Sequence, residues 1–220
     1  MTMGDESVFA AMTVPVVVIP ILESLEQKDF AAAQTLKSAF TKVEENHQGF
    51  AYDLVSGVLR KAGVESHVDM PEALLRLEAT NDSSEFKVPR TEEPFKDLNR
   101  RAFNLKKILS RIPDEIYVRQ SFLETIKDIA GAIKRLLDAV TAIFIYIEPA
   151  NQKQNLEVRK REFVKYSKRF SNTLKEFFRD NHEGSPSQQE IANRKREVFI
   201  SANLLINQTN LIMQTVKAAC

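Results

Sequence analysis

An all-α fold is predicted for this 220-residue chain, as an N-terminal helical domain followed by a four-helix bundle. Three observations carry the prediction. Phe122, Ile126, Ile129, Ile133, Leu136, Val140, Ile143 and Ile147 recur at steps of four and three without a break, which is one buried face of a long helix. Three further stretches keep that spacing: Leu98 to Ile112, Phe163 to Phe177 more loosely, and Val198 to Ala219. Four such stripes close around one core, and the alternating steps favour near-parallel packing. Finally, with 6 Gly in all and no two-residue turn between alternating runs, strands are hard to place.

Taken in order, Pro15 and Pro20 each remove a backbone donor and restrain the preceding residue, so the first regular helix is expected only at about Ile19 to Gln27. Asp29 is placed to cap a second helix, Phe30 to about Glu45, whose Ala32, Leu36, Ala39, Phe40 and Val43 lie along one side. Gly49 breaks it. A third helix, Phe50 to Ala62, has Phe50, Leu54 and Val58 in one line with Val55 and Leu59 beside it, and Gly63 stands where a C-terminal cap belongs. A fourth covers about Pro71 to Ala79. Helices this short bury little surface alone, so this domain, 1–80, is either self-sufficient or completed by a partner chain. Residues 81–96 are polar, acidic and carry two prolines, the composition of a linker. The bundle domain, 97–220, opens with a helix begun by Pro94 and stopped by Pro113. Helices follow over about Glu115 to Glu148, ended by Pro149, and Leu156 to Asp180. A loop over Asn181 to Gln189 leads to the last, Ile191 to Ala218.

Charge separates the two domains. Up to Asp97 there are 9 Lys and Arg against 17 Asp and Glu, and from Leu98 onward 22 against 13. The basic half is therefore suited to a negative partner: acidic peptides, phosphoinositide headgroups or nucleic acid. The one cysteine, Cys220, excludes an intramolecular disulfide and fits a reducing compartment. The apolar run Val14 to Leu25 is about half a membrane span and follows Asp5 and Glu6, so neither signal peptide nor anchor is expected.

Chemistry of a catalytic kind is poorly supplied. His47, His67 and His182 have no second His or Cys at metal-ligand spacing, and no phosphate-binding glycine loop or nucleophile elbow is present. No enzyme, metal or cofactor is expected. One constellation does repeat: Lys127, Ala130 and Lys134 on the second bundle helix, and Lys168, Ser171 and Lys175 on the third. In each, a small residue sits between lysines seven apart on a single helix face. Side by side, the two notches would form a groove for an amphipathic helix with Leu on one side and acidic flanks. The bland alternative is that these lysines are solvated. Arg159, Lys160, Arg161, Lys165, Lys168 and Arg169, with Arg194, Lys195 and Arg196, could serve lipid headgroups or nucleic acid, but no nucleic-acid-binding motif accompanies them, so nucleic acid is not expected and a solvated face is the favoured account.

The segments LNRRAFNLKKILSRIPDEI (Leu98 to Ile116), FLETIKDIAGAIKRLLD (Phe122 to Asp138), EFVKYSKRFSNTLK (Glu162 to Lys175) and SANLLINQTNLIMQT (Ser201 to Thr215) resemble the programmed cell death protein ten family, which includes the third cerebral cavernous malformation protein. AAQTLKSAF (Ala32 to Phe40) and EALLRLEA (Glu72 to Ala79) extend the resemblance over most of the chain, to the degree expected of an orthologue. It implies a helical dimerisation domain, a linker and a bundle similar to focal adhesion targeting domains. It implies pairing of the first domain with a like domain of germinal-centre kinases of the third subgroup, or with itself, through positions matching Leu36, Ala39, Val58 and Leu59. It further implies that the bundle binds leucine- and aspartate-rich helical motifs, as in paxillin and the second cavernous malformation protein, through Lys127, Ala130, Lys134, Lys168, Ser171 and Lys175. The striatin phosphatase–kinase complex is an implied partner, and the cytoplasm, with peripheral Golgi or plasma-membrane association, the implied location. Two departures stand out: Asn181 to Arg196 is longer than the family's usual connection, and proline spacing before Glu23 differs. A peripheral, phosphoinositide-binding module is the alternative reading.

Overall fold

The computed structural model describes residues 3–80, 86–148, 150–179 and 187–220. Among these no strand occurs, and the chain divides into two compact units, Met1–Glu85 and Phe86–Cys220. The fold is all-α.

The first unit begins earlier than the prolines suggested. Helix α1 (Met3–Thr13) passes through a π-helical turn, Val14–Val18, directly into α2 (Ile19–Glu26). Neither Pro15 nor Pro20 stops the helix. Ile19 N–H closes over five residues onto the Val14 carbonyl, so the wider turn spans Pro15 and ends directly before Pro20, where an α-helical donor is missing in any case. The helical stretch Val8–Glu26 is consequently 19 residues long with mean hydropathy 2.1, long and apolar enough to cross a membrane rather than half a span. Its Phe9, Met12, Val16, Val18 and Leu22 are buried, with α1 packed on α4 (Phe50–Lys61) and α5 (Met70–Thr80).

Helix α3 (Phe30–Asn46) starts at its expected cap, the Asp29 carboxylate accepting from Ala32 N–H at 2.9 Å. Glu44 then reaches past the end of α3 and accepts from the amides of Gly49 (2.6 Å) and Ala51 (3.1 Å), satisfying the first donors of α4. Gly49, at φ 94°, makes the sharp reversal between them. At the far end of α4, Gly63 takes φ 71° while Val64 N–H bonds back to the Leu59 carbonyl at 3.1 Å, a Schellman closure. Val18, Leu22 and Ala51 form a small core against which Val14, Leu25 and Phe40 pack.

The second unit contains α6 (Glu93–Leu109), the short α7 (Ile112–Glu115), α8 (Arg119–Ile143), α9 (Ala150–Phe177) and α10 (Gln188–Ala218). Helix α6 packs on α8, α8 on α9, α9 on α10, and α10 on α6, a closed ring of four. Leu98, Ala102, Leu105, Leu109 and Ile112 are all buried, as their spacing predicts. Helix α10 is buried more completely than one stripe implies: besides Val198, Ala202, Leu205, Thr209, Ile212 and Val216, the intervening Phe199, Ile200, Leu204 and Ile206 are buried. Its buried Ser201, Asn203 and Thr209 donate to carbonyls three or four residues back on the same helix. The loop expected over Asn181 to Gln189 lies mostly outside the described residues. Ser187 nevertheless begins α10 with a reciprocal cap to Glu190.

The predicted linker is divided. Residues 81–85 lie outside the described set, whereas Phe86 and Val88 are buried in the second unit, so 86–92 forms a strap on the bundle. Asn99 of α6 binds the Val88 backbone twice, accepting from its N–H and donating to its carbonyl, each at 3.0 Å. Lys106 lies 5.5 Å from the Phe86 ring centroid, and Arg90 stacks 4.7 Å from that of Phe95. Arg90 also binds Glu92 and holds its carboxyl down to about 2. Asn99→Ala leaves a backbone donor and acceptor beside buried Val88 without these partners, and is expected to cost about 1–2 kcal/mol. Urea unfolding reads this directly; an unchanged midpoint would show that the strap is held otherwise.

Candidate functional site

Each unit leaves most of its sequence-predicted site residues uncovered. On the first they are apolar. Leu36 and Val58 are 40% and 60% exposed, Ala39 is exposed and Leu59 is half-buried. The four positions predicted to form a shared core are thus spread over the outer sides of α3 and α4. Sequence reasoning placed Phe50 and Leu54 in line with Val58 but did not single them out; both are exposed, as are Ile21 and Phe30. Large side chains uncovered on α3 and α4 make these helices the candidate interaction surface of the unit.

On the second unit the six predicted groove residues all lie exposed on α8 and α9. Contacts at the two ends of these helices set their mutual register. Near the start of α8, the Phe122 ring meets Phe177 and Phe178 near the end of α9, centroids 5.6 Å apart in both cases. Near the end of α8, Thr141 accepts from Lys160 Nζ at 2.9 Å, and that ammonium sits 5.6 Å from the Phe144 ring centroid. The helices are therefore antiparallel neighbours. At 1.5 Å rise per residue, this puts Ala130 level with Ser171, Lys127 with Lys175, and Lys134 with Lys168, to within about 5 Å.

The surroundings suit a positively rimmed apolar trough. Ile126 and Ile133, expected to be buried with the rest of the α8 seam, are half-buried, while Thr125, Ala132 and Ala139 take the deep positions. With Leu137, also half-buried, they stand beside Ala130 at helix spacing. None of the four lysines forms an ion pair among the described residues, in contrast to Arg111 with Glu115 and Arg161 with Glu157. On α9, Ser167 and Thr173 turn their hydroxyls back onto carbonyls four residues earlier, but Ser171 makes no such bond. Ala130 and Ser171 thus add little bulk, and the lysines add charge that no ion pair holds among the described residues.

Of the three histidines, His47 ends α3, His67 lies in a single 3₁₀ turn, and His182 falls outside the described residues. Among the described residues no three His, Cys, Asp or Glu side chains cluster so as to hold a metal ion, and Cys220 is exposed.

An apolar helical surface on one unit and an open, basic helix pair on the other define a protein-binding class of molecule. Comparison with known proteins gives that class a family. Residues 6–65 match the dimerisation domain of programmed cell death protein 10, and residues 68–157 match its C-terminal region. A programmed cell death protein 10 homolog of Caenorhabditis elegans is 37% identical over 214 residues, 94% of this chain and 93% of that protein. The chain belongs to the programmed cell death protein 10 family, and its first unit carries the family's dimerisation domain, which fits an adaptor role in general.

Proposed function

We propose that the chain is a non-enzymatic adaptor that pairs through α3 and α4 and takes up an acidic, leucine-rich helix between α8 and α9. For the first surface the proposed partners are germinal-centre kinases of the third subgroup, or a second copy of the chain. For the second they are leucine- and aspartate-rich motifs of the paxillin or second cavernous malformation protein type, and through the bundle the striatin complex.

The observation that carries the reading is the antiparallel register of α8 and α9, with Ala130 level with Ser171 and a lysine pair above and below. An incoming helix needs two things there. Its apolar side chains need recesses, which small residues on facing helices supply, and its acidic flanks need cations without competing partners. A peripheral membrane site shares the second need but not the first, since lipid headgroups gain nothing from small residues at mid-groove. A cytoplasmic setting, with contact at Golgi or plasma membranes, is proposed along with these partners.

Titration of the full chain with a fluorescent amphipathic peptide rich in Leu and Asp tests the groove. Saturable binding that weakens as salt rises is the expected result. No binding at low salt, with anionic vesicles bound instead, would replace the adaptor reading by the membrane one. Capture from cell lysate with partner identification then names the kinase and the motif protein.

A further inference from the structure

We propose that the groove's partner carries an acidic extension beyond one end of its helix, and that Arg161 and Lys165 on the outer face of α9 receive it. This rests on the helix-groove function proposed above and goes beyond it, because the residues concerned lie outside the groove. A concavity of 690 Å³ runs along α9 toward α10. Arg161, Lys165, Lys168 and Arg169 line it, with Glu176 and Glu197 among its other walls. Lys168 belongs both to this concavity and to the groove triad, so the two surfaces are continuous at the Lys134–Lys168 level.

The charge along α9 is uneven. Going from Lys168 toward the start of the helix, Lys165 follows, then Arg161; going the other way, Arg169 is followed by Glu176, with Glu197 of α10 also in the wall. Lys165 and Lys168 form no ion pair among the described residues. Arg161 pairs with Glu157 at 3.2 Å, but its side chain is 77% exposed, and a bridge in water holds it only weakly. From Lys168 to Arg161 is seven helical residues, or about 10 Å, a span that three or four extended residues of a peptide cover. A flat anionic bilayer laid over this face would meet Glu176 and Glu197 along with the cations. A single strand leaving the groove at Lys168 toward Arg161 avoids both, and the carboxylates at that end, Glu157 and Glu162, are already paired with Arg161 and Arg159. Charge complementarity therefore favours an acidic peptide segment as occupant over a lipid surface.

The test compares a core Leu- and Asp-rich peptide with the same peptide extended by four Glu at its N-terminus, at its C-terminus, or by four Ser as control, each titrated against the full chain and against Arg161→Ala/Lys165→Ala. An acidic extension at one end is expected to raise affinity roughly fivefold over the Ser control, the size that two exposed charge pairs bring. The double variant should lose that gain while binding the core peptide within about twofold of the unaltered chain, since its changes spare the groove. Absence of gain at either end, or a gain that persists in the double variant, overturns the proposal and leaves the groove function standing. Failure of the core peptide itself overturns both. Phosphatidylcholine–phosphatidylserine vesicles form the last arm: sedimentation lost in the double variant, with no peptide gain, assigns Arg161 and Lys165 to a membrane instead.

Discussion

With Asp in place of Leu36, Ala39, Val58 and Leu59, the chain is expected to run as a 25.1 kDa monomer under conditions in which the unaltered chain runs as a dimer. The effect should approach all-or-none. Leu36, Ala39 and Val58 are exposed in the single chain, so carboxylates there stay hydrated while it is alone, at a helix-propensity cost of only about half a kcal/mol each. Once the surface is covered, each carboxylate must lose its water or take up a proton, at several kcal/mol apiece. A dimer of micromolar to nanomolar strength has only about 8–12 kcal/mol in hand. Leu59 is half-buried, so its replacement also strains the fold, and the triple variant that keeps Leu59 separates the two effects. Light scattering gives the mass and circular dichroism the helix content. A triple variant that is helical and still dimeric, and still binds kinase, would place the interface elsewhere.

How much of this was legible in the sequence depended on whether a local rule or the tertiary context decided each point. Asp29, Gly49 and Gly63 act within a few residues of themselves, and α3 and α4 end where those residues say. The seams of α6 and α8 are periodic enough to give the bundle. By contrast, Pro15 and Pro20 by their usual effect end an α-helix, yet α1 runs on into α2 through a π turn, a rarer geometry that spans the first and ends directly before the second. Phe86 and Val88 are two apolar residues in a polar stretch, too few to register as structure without the two bonds by which Asn99 holds the strap at Val88. The candidate surfaces show the sharper limit. Phe50, Leu54 and Val58 form the same i, i+4 stripe whether they face a core or another chain, and only their exposure distinguishes the two. Ile126 and Ile133 belong by spacing to the α8 core, yet they lie half-exposed beside Ala130. Spacing identified both lysine triads, but not that α8 and α9 are antiparallel neighbours in matching register. That depends on where Phe122 and Lys160 find their partners.

Reversing the charge of the groove and closing its notch should abolish peptide binding by two separable routes. Glu at Lys127, Lys134, Lys168 and Lys175 turns attraction into repulsion for an acidic helix. The association rate should fall most, and residual binding should strengthen rather than weaken as salt rises. All four side chains are exposed and lack ion pairs among the described residues, so the fold should tolerate the change. Ala130→Asp alone should do comparable damage, with at least a tenfold loss, about 1.4 kcal/mol. It fills the position level with Ser171 and sets a carboxylate against the peptide's own acidic flank. Ser171→Leu adds bulk without charge. For a helix in the groove it blocks the same recess; for a lipid headgroup drawn by the lysines it should be nearly silent. Each variant is therefore to be titrated with the labelled peptide and with anionic vesicles. The helix-groove mechanism requires that Ala130→Asp and Ser171→Leu lower peptide affinity while Ser171→Leu leaves vesicle sedimentation unchanged. If both bind peptide as the unaltered chain does, and only the four-lysine variant fails, then charge alone governs this face and a membrane is its better partner.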